Sequence, residues 1–288
     1  MSSHPLIAVI GVNGVGKSTF INIASGRNDL GVGHADRHLS TQDITPKSVL
    51  VDNAWVNLID TPGWDDTYRT DTDILNLIGD YLGRTFSVGQ LLQGVILLQP
   101  VDGTRVYGTE RRRNRLYERI CGVDAYRNIV VATTIWSTVV DQAAADQRVQ
   151  QRIESPEFWD SMVQGGARVM KHDNTQPSAL TIVRAVLSQQ ARPLQLQTEL
   201  VGNGYDLSTT SVGIQLTTDI KAMIFRDTSR ITELEEELRR TAADNAAMRV
   251  RLEGDLNDLI GKLKRPEDDI ERLKQRRVSF ARICLSTY

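Results

Sequence analysis

The run Gly11-Val12-Asn13-Gly14-Val15-Gly16-Lys17-Ser18-Thr19, directly behind the apolar stretch Leu6-Ile7-Ala8-Val9-Ile10, constrains this chain more than any other feature. It is a complete G-x-x-x-x-G-K-S pattern in the strand-then-helix context that gives the pattern its meaning. Glycine at these positions permits left-handed backbone, so successive N–H groups converge on one anion. The following helix adds positive potential at its N-terminus. Asn13, Gly14, Val15, Gly16, Lys17, Ser18 and Thr19 are therefore expected to hold the phosphates of a nucleoside triphosphate. Lys17 would reach the β/γ oxygens, and Ser18 would offer its hydroxyl to Mg2+.

A second element adds sensing to binding. Trp55-Val56-Asn57-Leu58-Ile59 reads as a strand ending in Asp60-Thr61-Pro62-Gly63, a D-x-x-G. In that pattern the carboxylate, here Asp60, serves the magnesium and the glycine N–H, here of Gly63, faces the γ-phosphate. Read alone, Asp, Pro and Gly would make an ordinary turn; downstream of a phosphate-binding loop the functional reading takes precedence.

Strands alternate with helical patterns along the first two thirds of the chain. The expected strands are 6–10, 48–52, 55–59, 94–98, 128–133 and 168–170. The expected helices are 17–24, 71–81, 111–120, 158–162 and 178–189. Apolar strands without strict alternation demand a sheet covered on both faces, and Asp52-Asn53 between two strands implies one antiparallel hairpin in an otherwise parallel sheet. The expected fold is a three-layer α/β phosphate-binding-loop domain over 1–192, with a packed connector at 193–226 and a helical, coiled-coil extension at 227–288. In that extension Ile231, Leu238, Asn245, Leu252 and Leu259 recur at one heptad position and Leu234, Met248 and Leu263 near the other. Asn245 would fix register in such a seam, Asp255 interrupts it, and Pro266 should end or kink the helix. A helix folding back on its own domain remains the alternative.

Composition narrows the function classes. A net charge of −2 gives no global attraction to nucleic acid or to an anionic membrane. Arg111-Arg112-Arg113 with Arg115 is the dense basic run, read as the solvated face of a helix start rather than a phosphate patch. The two cysteines, Cys121 and Cys284, lack metal-ligand spacing, which fits a reducing, cytoplasmic setting. No leader is expected, because the first core strand begins almost at once. No apolar stretch approaches the ~20 residues that span a bilayer. The basic segments Lys262-Leu263-Lys264-Arg265 and Lys274-Gln275-Arg276-Arg277 are too weak a signal for stable membrane anchoring.

The phosphate-binding loop, the D-T-P-G and the order of the later segments resemble the septin-like branch of P-loop GTPases, nearest the immunity-associated (GIMAP or AIG-type) GTPases and their fungal relatives. The resemblance implies GTP or GDP with Mg2+ as ligands. It also implies Thr41 as the switch threonine that closes on Mg2+ and the γ-phosphate, Thr45 being the alternative. Residues 94–98 with Asp102-Gly103-Thr104-Arg105, Gly108 and Asn114 are similar to the family's strand-plus-loop before its third helix. Members commonly dimerise across the nucleotide face, which would put Arg105 or its neighbours against a partner copy.

Two departures from the family pattern bear on chemistry. Where an N-K-x-D should read guanine, the chain has Thr134-Ile135-Trp136-Ser137, without a carboxylate. Thr134 and Trp136 are the candidate base contacts there, with Trp136 either stacking on the base or buried, and the backbone of Gly165, Gly166 and Ala167 is a further candidate. At the water-orienting position after D-T-P-G stands Trp64, which cannot activate water, so hydrolysis should be slow and rest on Lys17, Mg2+, Thr41 and whatever a partner copy supplies. Asp65 and Asp66 read as solvated loop carboxylates. Three functions follow: a self-associating GTP-binding switch with slow hydrolysis, a nucleotide-stabilised scaffold working through its helices, or a P-loop ATPase.

Overall fold

The computed structural model describes residues 4–27, 44–66, 69–101, 107–241 and 245–275. The chain divides into two compact units, Met1–Tyr205 and Asp206–Tyr288.

The first unit is built on six strands: β1 (Leu6–Gly11), β2 (Thr45–Val51), β3 (Ala54–Asp60), β4 (Leu92–Pro100), β5 (Ile129–Thr134) and β6 (Arg168–Lys171), in the order β2-β3-β1-β4-β5-β6. Every pairing is parallel except β2 with β3. That hairpin turns at Asp52 and Asn53, both left-handed with φ 48° and 64°, the backbone a tight two-residue turn demands and Asp and Asn tolerate. Arg184 clamps the turn with a bidentate pair to the Asp52 carboxylate at 2.8 and 2.9 Å.

α1 (Lys17–Ser25) and α6 (Gln176–Leu187) cover one face of the sheet. Phe20, Ile21, Ala179, Ile182 and Val186 pack there on Ile7, Val9, Val56, Leu58, Ile96 and Val130. On the other face α3 (Tyr107–Cys121) lays Tyr117, Ile120 and Cys121 against Ile10, Val95 and Leu97. α7 (Gln195–Gly202) packs against α3 and against α2 (Asp71–Ser87), which opens with a capping box between Thr70 and Asp73. The three-layer, mostly parallel architecture is the one the strand pattern predicts.

Two helices escape the periodicity reading. α4 (Gln142–Glu154) has Ala145 as its buried residue, so it carries no apolar stripe to detect. α7 replaces the start of the expected connector, within the first unit. α5 (Asp160–Gln164) is a short turn of helix close to where one was expected.

The second unit is two long helices, α8 (Ser211–Arg240) and α9 (Ala246–Gln275), packed against each other as a hairpin. α8 thus begins inside the stretch expected as connector. Of the heptad positions Leu234 and Leu252 are buried, as is Leu273 beyond them, whereas Met248 is exposed. The seam is not one continuous helix, however. Thr241 caps the end of α8, and Asn245 is no register residue within a helix, because its side-chain oxygen accepts from the Met248 N–H at the start of α9. An Asn is a good helix N-cap and a poor helix interior residue, which is why the chain turns there. Pro266 does not end the helix; α9 runs through it with the ring buried. Within the unit the two helices close on each other. Among the described residues no helix is long and apolar enough to cross a membrane.

Candidate functional site

Strand β1 leads into the phosphate-binding loop, where Gly14 and Gly16 adopt φ 77° and 97°. Both are left-handed, the backbone that lets a loop of this pattern turn successive N–H groups toward an anion. α1 starts there with no acidic residue in its first turn and no side chain capping its N-terminus, so its orphan N–H groups are left for an anion. Lys17 lies back along the loop. Its Nζ donates to Val12 O at 2.9 Å and Gly11 O at 3.4 Å, and the residue is 7% exposed. Burial of the ammonium lowers its pKa to about 8, against the attraction of Asp60 and Asp66. Ser18 Oγ donates to Asp60 Oδ2 at 2.6 Å, joining the loop to the end of β3.

Those observations test the site against a magnesium nucleotide, and the residues fit. An uncapped helix start and a buried cation suit a polyphosphate. A hydroxyl and a carboxylate side by side are the oxygen donors a hard divalent cation takes.

The D-T-P-G segment sits directly on the loop. Thr61 Oγ1 donates to Val9 O at 2.8 Å, the Trp64 N–H donates to Gly11 O at 3.2 Å, and the Asn13 N–H donates to Trp64 O at 2.8 Å. Gly63 is pressed so closely that a Cβ there would lie 2.6 Å from the Asn13 backbone and 2.8 Å from Lys17 Nζ. Trp64 is fully buried, edge-on to Tyr117 with ring centroids 6.1 Å apart. Buried so, it has no contact with water to orient.

The loops after β5 and β6 form the neighbouring rim. Thr134 Oγ1 donates to Val15 O at 3.2 Å, which ties this rim to the phosphate-binding loop. Ile135 is left-handed at φ 64°, a conformation a β-branched residue adopts only when its surroundings impose it. Trp136 is 6% exposed; its Nε1–H donates to Thr133 O at 3.0 Å, and Lys171 Nζ lies 3.8 Å from the ring centroid. The indole is therefore buried and one face is occupied, so a base stacking on that face must first displace Lys171. The β6 loop brings Asp173, exposed and held by Thr175 so that its carboxyl pKa falls to about 2.

Asn13, Gly14, Val15, Gly16, Lys17, Ser18, Thr19, Asp60, Gly63 and Thr134 are thus gathered around one loop. Thr41 lies outside the described residues, as do residues 33–40 and Asp102 to Arg105. Thr45 begins β2, opposite Asp60 in the register. Gly165, Gly166 and Ala167 are misplaced as base contacts. They precede β6 at the end of the sheet away from the phosphate-binding loop, where Gly165 and Gly166 pack against Tyr126 and Arg127. The arginine run is partly solvated, with Arg115 exposed, and its first three members are held in ion pairs. Arg111 pairs with Glu157 at 2.7 Å, Arg112 with Asp71 at 2.9 Å, and Arg113 with Asp65. Asp65 is accordingly a paired rather than a solvated carboxylate. Lys171 and Asp173 were invisible to motif reading, although the strand before them was legible and parallel pairing with β5 puts its end beside Thr134.

Residues 6–131 match the model of the 50S ribosome-binding GTPase family. No curated protein sequence matches the chain. Among solved structures it is similar to Toc33 from Arabidopsis thaliana in complex with GDP and Mg2+, at 15% identity and TM-score 0.52, covering 67% of this chain and 88% of that one. Toc33 in complex with Mg2+ and GMPPNP gives 15% and 0.51, covering 65% and 86%. A dimerisation-deficient Toc33 mutant gives 15% and 0.53, covering 66% and 88%. The chain is a protein of the G-domain P-loop fold whose residues 6–131 carry the 50S ribosome-binding GTPase pattern.

Proposed function

We propose that this chain binds GTP and GDP with Mg2+ and acts as a nucleotide-dependent switch that hydrolyses GTP slowly. The single observation that supports the reading is the close approach of Gly63 to Asn13 and Lys17, as expected of a D-T-P-G segment that senses a γ-phosphate on the loop. Asn13 to Thr19 bind the phosphates, Lys17 meets the β/γ oxygens, and Ser18, with Asp60 behind it and Thr41 from the preceding segment, serves the cation. Mg2+ when bound supplies charge neutralisation of the phosphates. With Trp64 at the water-orienting position, chemistry rests on Lys17 and Thr41 and on positioning, so turnover is slow.

For the base, the rim of Thr134, Ile135 and Trp136 faces the β6 loop, and the Asp173 carboxylate takes the part of the missing acceptor for the guanine N1 and N2 protons. Asp173→Asn then weakens GDP more than ADP, by about tenfold, the size of one lost charge-assisted hydrogen bond.

Self-association across the nucleotide face belongs to the same reading. In a solved neighbour, at 16% identity, dimerisation is important for the GTPase activity of the chloroplast translocon components atToc33 and psToc159. A second reading, a nucleotide-stabilised scaffold, draws on the burial of Trp64. The test measures phosphate release per subunit against protein concentration, beside calorimetric titration with GTP, GDP and ATP. A rate that rises with concentration supports the dimerising switch; binding with no release at any concentration leaves the scaffold; preference for ATP overturns guanine recognition.

A further inference from the structure

Deepening the switch reading, on which this inference rests, we propose that Arg113 and Tyr117 of α3 are positioning residues that aim the Gly63 N–H at the γ-phosphate by holding Trp64 and Asp65 from behind. The segment 63–65 is gripped on two sides. Toward the phosphate-binding loop it is bonded through backbone groups alone: the Trp64 N–H to Gly11 O and the Asn13 N–H to Trp64 O. Such bonds set its distance from the loop and leave the orientation of the next residues to other contacts.

Those contacts come from α3. The Trp64 ring stands edge-on against Tyr117, and both are buried. Asp65 is left-handed at φ 58°. A non-glycine residue keeps that backbone when its neighbours over-determine it. Here the Asp65 carboxylate pairs with Arg113, whose side chain is 13% exposed, and the neighbouring Arg112 pairs with Asp71, the first residue of α2, at 2.9 Å. Adjacent arginines of one helix therefore hold the loop residue and the start of the helix that follows it.

Upstream, Pro62 restricts φ and Thr61 Oγ1 is fixed to Val9 O. Gly63 is left as the single hinge between two fixed points. Its N–H direction is then a function of where α3 holds Asp65, although Arg113 itself lies outside the phosphate-binding loop.

The experiment titrates the full chain with GDP and with a non-hydrolysable GTP analogue, Mg2+ present. Arg113→Ala and Asp65→Ala should each weaken the triphosphate about tenfold with GDP affinity within twofold, and the double variant should lose no more than either single one, as expected of two partners in one contact. Arg113→Lys should recover part of the loss. Should Arg113→Ala not fold, Arg113→Lys and Asp65→Asn carry the same comparison at smaller amplitude. Equal loss for both nucleotides, or additive losses in the double variant, overturns the proposal, since a merely structural pair would behave so. A wild-type chain that binds neither nucleotide would sink the switch reading itself, whereas wild-type discrimination kept by every variant sinks the positioning role alone.

Discussion

Triphosphate binding should take up a proton at alkaline pH, and Lys17 is the reason. Its ammonium is buried among backbone carbonyls with a pKa near 8, down from 10.5. The unfolded chain keeps that proton to about 10.5, so between pH 8 and 10.5 the unfolded state binds more protons and the ligand-free fold gains stability as pH rises through that window. Below pH 8 the buried charge costs the fold about 3 kcal/mol, at about 1.4 kcal/mol per pKa unit. A triphosphate against the ammonium reverses this by favouring the charged form, restoring the pKa to at least its ordinary value.

At pH 9 the free protein then holds about a tenth of a proton on Lys17 and the complex nearly a whole one. Affinity should fall about tenfold from pH 7 to pH 9, with uptake of about 0.9 proton per nucleotide at pH 9 and about 0.1 at pH 7. Calorimetry in buffers of different ionisation enthalpy reads the uptake directly. Lys17→Arg, charged throughout, should show none, and ligand-free Lys17→Met should be more stable than wild type at pH 7, with the difference shrinking above pH 8. An uptake below about 0.2 proton at pH 9 in the wild type refutes the argument that the ammonium is strained in the free loop.

Other outcomes follow from packing. Gly63→Ala forces a methyl against Asn13 and Lys17 Nζ, so calorimetry should find triphosphate affinity lowered at least tenfold and stability reduced by about 1–3 kcal/mol. Tyr117→Phe removes a buried hydroxyl that has no hydrogen-bond partner, so urea unfolding should show unchanged or slightly higher stability; a loss above about 1 kcal/mol would mean the hydroxyl is paired. Asn245→Ala deletes the cap of α9 and should cost about 1 kcal/mol, read by helix content against urea. Cys121 is buried and its thiol is pushed up to about 12, so a thiol reagent at pH 8 should reach it on the timescale of unfolding. Fast modification of native protein at that position would contradict its placement under α3.

The sequence by itself determined the phosphate-binding loop, the order and direction of the strands, and the seat of Asp60 and Gly63. These are local facts: a strand period, a glycine pair and a D-x-x-G at a strand end state their own backbone needs. It also marked Asp52-Asn53 as the antiparallel turn, because that conformation belongs to the two residues in it.

What tertiary structure decided is everything that depends on which distant side chain arrives. Sequence shows three consecutive arginines; only the folded chain brings Glu157, Asp71 and Asp65 to them. A heptad pattern reads the same in a straight helix and in a hairpin, so the turn at Asn245 emerges when α8 and α9 close on each other. Gly165 and Gly166 look like a ligand loop until strand direction puts them at the far end of the sheet. Trp136 declares an aromatic, and its burial beneath Lys171 declares how much of it a base can reach. Charge pairing and burial are properties of neighbours in space, and a linear pattern specifies neighbours only along the chain.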